Sequence, residues 1–407
     1  MSDGAESVII LGGGAAGFFA ALSAAQHRPN AAITIIEIGS QVLSKVKISG
    51  GGRCNVCNAE KDIDILASKY PRGSRLLKRL FYEFGTADTI NWFESRGVKL
   101  KTEAHGHMFP VTDNSQTVIS CLMREAKKYG IKILTKHRMT KCERLNSGFK
   151  LSFKKHSGIT CDKLIVATGG NPKAASYNWL ANLGHKIEPP VPSLFTFNMP
   201  GENIRKLMGV ATPHVSARIQ GIKLKSEGPL LITHWGMSGP AILKLSAWGA
   251  RELSDIGYEF TLQLSWTAET NDSSMRELLQ TARSEFGRKQ IKNAQPFDLT
   301  SRLWEYLIAR TDIPSEKPWA ELGKKDLNRL AHILSSDSYP VSGKTTFKEE
   351  FVTCGGISHK SINPKTLESK FVPGLYFAGE VLDIDGITGG YNFQSAWTTG
   401  FIAGKLA

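Results

Sequence analysis

Apolar residues fall along this chain in runs whose length and spacing separate strands from helices. Residues 8–11 are uninterrupted apolar, as in a strand of a parallel sheet covered on both faces, and residues 15–25 are rich in strong helix formers. Residues 32–36 read as the next strand. Helical periodicity runs through 74–96 and 115–129, with Gly97 and Gly130 as stops. Residues 131–134, 139–145 and 149–154 alternate like strands of a small antiparallel sheet, and the apolar strand at 163–167 ends in Thr168-Gly169-Gly170. A proline cluster at 189–192 marks a change of character. Segments 194–199, 213–222 and 229–233 beyond it are strand-like, whereas 274–286, 301–310 and 319–335 are helix-like. Residues 346–356 return toward the β region, and 374–380 is again an apolar strand, closed by Gly379-Glu380.

This order predicts an α/β chain whose first domain is discontinuous, at 1–190 and 345–407. A β-rich region at 191–270 and 336–356 and a helical region at 271–335 interrupt it. The length of 407 residues suits two or three cores rather than one.

The turn between the first strand and helix makes the first domain a nucleotide-binding one. Gly12-Gly-Gly14-Ala15-Ala16-Gly17 follows the strand directly, and Glu37 stands at the end of the second strand. Gly12 permits the tight turn, Gly14 lets backbone approach a pyrophosphate, and Gly17 lets helix and strand pack closely. The helix N-terminus offers N–H groups to the anion, and a carboxylate at 37 binds ribose hydroxyls and repels a 2′-phosphate. The turn Ala167-Thr168-Gly169 ends a second strand as a ligand-contacting strand should.

Composition narrows the class further. No run of eighteen apolar residues exists, and the start of the chain lacks a basic segment followed by an apolar one, so neither a membrane span nor a signal peptide is expected and the cytoplasm is the expected compartment. Cysteines 54, 57, 121, 142, 161 and 354 are scattered, which suits reduced thiols. The formal charge is +14, but acidic and apolar residues interrupt every basic cluster and no nucleic-acid-binding motif accompanies it. It reads as a solvated surface, with a small molecule as the expected partner. His105-Gly-His107 lacks further ligands at metal-binding spacing, so no metal is expected.

A second glycine turn, Gly389-Gly390, precedes the helical pattern that begins Tyr391-Asn392-Phe393-Gln394. A helix N-terminus set over a flavin pyrimidine ring stabilises the negative charge that reduction deposits there.

With these segments the chain resembles the three-domain bacterial NAD(P)/FAD-dependent oxidoreductases of the BaiN/RdsA type, the family of aminoacetone oxidase. The resemblance spans the whole length. It rests on GGGAAG (12–17), KISGGGRCNVCN (47–58), HMFPVTDNSQTV (107–118), ATGG (167–170), THWGMSGPAIL (233–243), VTCGGI (352–357) and GLYFAGEVLDIDGITGGYNFQSAW (374–397). It implies a Rossmann-like FAD domain, a β-barrel-like domain over the flavin and a small helical domain. Gly12, Gly14, Ala15 and Ala16 would face the pyrophosphate, Glu37 and Lys45 the adenosine side, and Met139 the adenine through its backbone. Ser49, Gly50, Gly51, Arg53, Cys54 and Asn55 would lie near the isoalloxazine with Gly389, Gly390, Tyr391, Asn392, Phe393 and Gln394. Gly379 and Glu380 would serve the ribityl chain and phosphates. His107 departs from the family pattern, which has Arg there, and Cys57 replaces a hydroxyl or aliphatic residue.

The expected activity is transfer of a hydride or electron pair between FAD and a small organic substrate, in enone reduction or amino-ketone oxidation, with NAD(P)H as a transient donor. Tyr391, His234, Cys354 and Arg53 are the expected groups near the reacting atoms. Two other readings stay open. The basic chain could be an RNA-associated flavoprotein like those of tRNA modification, or Cys54 and Cys57 could form a pair like that of the flavin disulfide reductases.

Overall fold

Five short apolar segments scattered over the chain assemble into one parallel sheet. In the computed structural model, which describes residues 5–269, 271–345 and 352–407, these are β1 (Ser7–Leu11), β2 (Ala32–Ile36), β3 (Lys132–Leu134), β4 (Lys163–Val166) and β5 (Leu375–Phe377). They lie in the order β5-β4-β1-β2-β3, with Ile9 opposite Leu164 on one side and Thr34 on the other. The side chains of β1 from Val8 to Leu11 are buried on both faces, which is why this strand carries no alternation.

Two of these placements depart from the sequence pattern. β3 pairs with β2 through Thr34 and Lys132 rather than joining an antiparallel sheet. That sheet is built from Met139–Arg144, Phe149–Phe153 and Ile159–Cys161 instead. A three-residue strand has too few positions to declare its partner, and the open edge of β2 takes it. The helical stretch 74–96 is two helices, Ser74–Phe81 and Thr86–Glu94, separated at Gly85, whose N–H is held by the Asp88 carboxylate at 2.8 Å.

Helix α1 (Ala15–His27) and helix α2 (Tyr391–Gly404) lie against each other beside the sheet. Their approach is backbone to backbone: a Cβ on Gly400 would lie 2.4 Å from the Ala16 carbonyl oxygen, and one on Gly404 would lie 2.3 Å from that of Ala20. Phe19, Phe84, Trp92, Phe93 and Trp397 pack around this contact with ring centroids 4.6–5.9 Å apart. The Trp397 indole donates to the Val56 carbonyl at 2.9 Å and fixes the register of α2.

The chain divides into two compact units, Met1–Ser193 with Lys348–Ala407, and Leu194–Phe347. Val352–Ile357, part of the segment expected toward the β region, pairs antiparallel with Ile187–Ser193 in the first unit. Residues 346–351 of that segment lie outside the described residues. The second unit is built on a seven-stranded antiparallel sheet and the helices Pro240–Trp248, Asp272–Phe286, Ser301–Ala309 and Lys324–Ser336. Trp266, Trp304, Trp319 and Tyr339 are completely or almost completely buried in the core that its sheet and helices share. Asp337 is tied there by Trp266, Tyr339 and Arg310 at 2.8, 2.5 and 2.6 Å.

The α1–α2 contact leaves no room for a methyl group. Gly400→Ala is expected to cost about 1–3 kcal/mol, the usual penalty of overpacking, and to lower Tm by several degrees in a thermal melt. An unchanged Tm contradicts the packing described.

Candidate functional site

The carboxyl ends of β1, β4 and β5 carry the turns at 12–17, 167–170 and 379–380 to one end of the sheet. Gly12 has φ +117°, and a Cβ there would lie 2.2 Å from the Ala167 carbonyl oxygen, so only glycine fits. Helix α1 begins after Gly14 with neither a side-chain cap nor an acidic residue in its first turn. A Cβ on Gly14 would meet nothing within 4 Å. The first N–H groups of the helix, at Ala15 and Ala16, therefore open onto space suited to an anion.

Glu37 is locked beside this turn. Its carboxylate accepts from the N–H of Gly13 at 2.9 Å and from that of Gly39 at 2.6 Å. A cavity of about 380 Å³ runs from here along Gly12, Thr168, Gly169 and Met139 to Trp179, within the range of small-ligand pockets. Met139 opens the antiparallel sheet opposite Phe153. On the other side of the turn, Lys45 pairs with Glu380 at 3.0 Å, and Glu380 accepts from the N–H of Thr353 at 2.7 Å. Gly379 donates to the Thr399 hydroxyl at 2.8 Å, tying this turn to α2.

The second glycine turn closes on the loop 49–55. Gly389 and Gly390 have φ of +123° and +87°, and α2 starts without a side-chain cap. A Cβ on Gly390 would touch the Cys57 carbonyl at 2.5 Å and Asn55 Oδ1 at 2.9 Å. Ser49 donates to the Val46 carbonyl, Gly50 abuts the Phe109 ring, and Gly51 opens onto empty space. Asn392 exchanges two hydrogen bonds with the backbone of Gly386, at 2.8 and 2.9 Å. The preceding loop is held by Asp385, fully buried, which pairs with Arg72 and accepts from Ser193 at 2.6 Å. Phe393 stacks on Trp397, and Gln394 is buried with its amide nitrogen on Thr398.

The four residues expected near the reacting atoms are held in different ways. Tyr391 is buried, with its hydroxyl pushed up to about 12 by that burial, and its carbonyl accepts from Tyr70 at 2.7 Å. Arg53 stacks on Phe109 at 4.0 Å and pairs with Glu103 at 2.9 Å and Asp113 at 3.4 Å. Cys354 is buried in the strand Val352–Ile357. His234 belongs to the second unit, edge-on to Trp235 with centroids 4.1 Å apart. Burial pushes the Cys54 thiol up to about 12 and that of Cys57 further still. No disulfide joins the cysteines. Among the described residues no three His, Cys, Asp or Glu side chains gather as a metal site, and no helix is long and apolar enough to cross a membrane.

Asn55 Oδ1, Thr353 Oγ1 and Gln394 Oε1 are buried without a hydrogen-bond partner among the described residues. A Cβ on Gly170 would lie 2.5 Å from both Thr353 Oγ1 and Glu380 Oε1, which places that hydroxyl at the turn. Unsatisfied polar atoms at these positions, two uncapped helix starts and the locked acid at 37 fit FAD, a ligand with a diphosphate, two sugar-like chains and a polar ring. Thr353 was not foreseen from sequence, because VTCGGI shows only an apolar strand. His107, half-buried against Gly389, was noted from sequence only as a weak metal pair with His105 and as a departure from the family's Arg, and Asn58, which donates to the Gly389 carbonyl at 3.2 Å, only as a motif letter.

Residues 6–406 match the model of the HI0933-like protein Rossmann domain. The chain belongs to that family. Among relatives of this HI0933-like chain are a 3-dehydro-bile acid delta(4,6)-reductase of Clostridium scindens, 28% identical over 406 residues, and a ribosomal RNA dihydrouridine synthase of Haemophilus influenzae, 29% identical over 413; each alignment covers 98% of both chains. Its fold is similar to that of the 3-ketosteroid-delta4-(5alpha)-dehydrogenase from Rhodococcus jostii, solved in complex with 4-androstene-3,17-dione. That likeness has a TM-score of 0.50 at 13% identity, over 98% of this chain and 97% of that one. The HI0933-like chain is a Rossmann flavoprotein and an FAD-dependent oxidoreductase.

Two outcomes follow from this geometry. Glu37→Gln removes a charge-assisted acceptor and is expected to weaken FAD binding about 10- to 100-fold, read by flavin fluorescence on titrating apoprotein; wild-type affinity contradicts the role given to Glu37. With both thiols raised so far by burial, little thiolate is present at pH 8. Neither Cys54 nor Cys57 should be alkylated by iodoacetamide in the folded protein at that pH, and rapid labelling of either by peptide mass contradicts it.

Proposed function

We propose that the chain reduces a carbon–carbon double bond conjugated with a carbonyl group, with NAD(P)H as the electron source and a small organic molecule as substrate. The observation that carries this reading is the near full-length similarity to two relatives whose named reactions share one chemistry. A 3-oxo steroid with delta(4,6) unsaturation and the uracil ring of uridine both present an alkene next to a carbonyl.

Bound FAD supplies two-electron hydride chemistry at its ring. The residues of this chain do the rest. The turn at 12–16 and the N-terminus of α1 hold the pyrophosphate, Glu37 the adenosine ribose, and the cavity beside Met139 the adenine. Lys45, Glu380 and Thr353 line the path between the two glycine turns. The uncapped start of α2 at Gly390 would offer a positive helix end to the bound ring, a charge suited to its reduced form. Tyr391, Arg53 and Cys354 are the candidates in the first unit for contact with substrate.

A second reading keeps the chemistry and changes the substrate to uracil in RNA. It is favoured by the +14 charge together with the relatives named as ribosomal RNA dihydrouridine synthases. Binding of that kind would weaken steeply with salt.

Anaerobic mixing separates the readings. The flavin of the loaded protein is expected to bleach with NADH or NADPH and to recover its colour on adding 4-androstene-3,17-dione. Recovery only with a ribosomal RNA fragment selects the second reading. Recovery with neither, and bleaching by aminoacetone instead, overturns both in favour of amine oxidation.

A further inference from the structure

The strand His107–Pro110 runs between Cys57–Asn58 and Leu100–Thr102, and its alternation sets His107 and Phe109 on one face. Both glycine turns of the ring end close on that face. A Cβ on Gly389 would lie 3.0 Å from Nε2 of His107, and a Cβ on Gly50 would lie 3.0 Å from the Phe109 ring. Asn58, cross-strand partner of His107, donates to the carbonyls of His105 at 3.1 Å and Gly389 at 3.2 Å, so strand and turn are fixed to each other. The imidazole thus touches the residue just before the cap of α2. Among the described residues no hydrogen bond engages either of its ring nitrogens.

The other proton-bearing groups at this turn are unsuited to exchange near neutral pH. Burial raises Tyr391 and Cys54 to about 12 each and Cys57 further. His107 moves the opposite way: burial, then the neighbouring His105, push it below the ordinary imidazole value, while Glu103 pulls it up. Arg53, Lys101 and Asp113 lie on the adjoining strand and loops, paired among themselves and with Glu103, and Glu60 follows Asn58 and acts on Tyr391. A proton on His107 is therefore disfavoured while nothing negative lies at the turn. A negative charge within about 4–6 Å raises such a group by about 1–3 pH units.

We propose that His107 is the redox-linked proton carrier of this site, taking up a proton at Nε2 when the ring bound at the Gly389 turn is reduced and giving it to the α-carbon of the substrate. The inference rests on the FAD position and the conjugated-alkene chemistry proposed above. The double bond gains a hydride at its β-carbon and the His107 proton at its α-carbon. The electron pair comes ultimately from NAD(P)H, and the neutral imidazole regains its proton from water at the next reduction.

Redox titration of the FAD-loaded protein between about pH 5.5 and 8.5, spanning the imidazole range, counts protons taken up per electron pair. The wild type is expected to take up one more than His107→Gln over the range where its imidazole titrates. His107→Arg, with a fixed charge, is expected to match the His107→Gln count at a higher potential. In the oxidative half-reaction with 4-androstene-3,17-dione, His107→Gln should slow about 100-fold or more, as for loss of a general acid. Equal proton counts in wild type and His107→Gln overturn the proposal. If either variant fails to hold FAD, the His107 ring signal of the wild type, followed by NMR in oxidised and reduced protein, decides: its pKa must rise on reduction, and an unchanged value overturns the proposal. The proton count uses no substrate, so failure of the alkene reading leaves it intact, whereas a protein that takes up no FAD removes both.

Discussion

Everything in the first unit depends on how closely α1 and α2 approach. Gly400 and Gly404 bring the last helix onto the carbonyl oxygens of Ala16 and Ala20, at a separation that no side chain permits. That contact sets the depth and register of α2, and so decides where Gly390 and Tyr391 stand relative to the turn at Gly12. The aromatic cluster around Phe19 and the Trp397 hydrogen bond then hold the register. Two ends of the chain far apart in sequence lie side by side because glycine removes the atoms that would separate them.

The electrostatics follow from that packing. Helices α1 and α2 each begin with a glycine and without a side-chain cap, leaving backbone donors for a ligand instead of satisfying them internally. The acids are already engaged: Glu37 by two backbone N–H groups, Glu380 by Lys45 and Thr353, Asp385 by Arg72 and Ser193. They arrive preorganised. Burial raises Asp385 while Arg72 and Ser193 act against that rise, so the ion pair holds a carboxylate in place beneath the Gly386–Asn392 contact. A preorganised shell of this kind lets binding proceed with little rearrangement.

Much of this was legible in the amino-acid order. The strand–turn–helix–strand unit with Glu37 could be read because its apolar run, glycine spacing and acid are all local. The return of β5 and α2 to the same domain followed from the apolar strand before Gly379-Glu380. What stayed hidden depends on contacts distant in sequence. The three residues of β3 join the sheet edge through β2, and nothing in their pattern specifies it. Gly85 breaks a continuous helical period because the Asp88 carboxylate caps a second helix there. Thr353 becomes part of the site only through its distance from Gly170, and His107 only through Gly389.

Both chain ends are proposed to form a single FAD site. Calorimetric titration of FAD into apoprotein carrying Gly390→Ala tests it most directly, since the added methyl would lie 2.5 Å from the Cys57 carbonyl and displace the start of α2 while leaving the turn at Gly12 untouched. One FAD is expected per wild-type chain, with severely weakened binding by the variant at a temperature where both proteins remain folded. Binding by the variant with wild-type affinity and stoichiometry would contradict it.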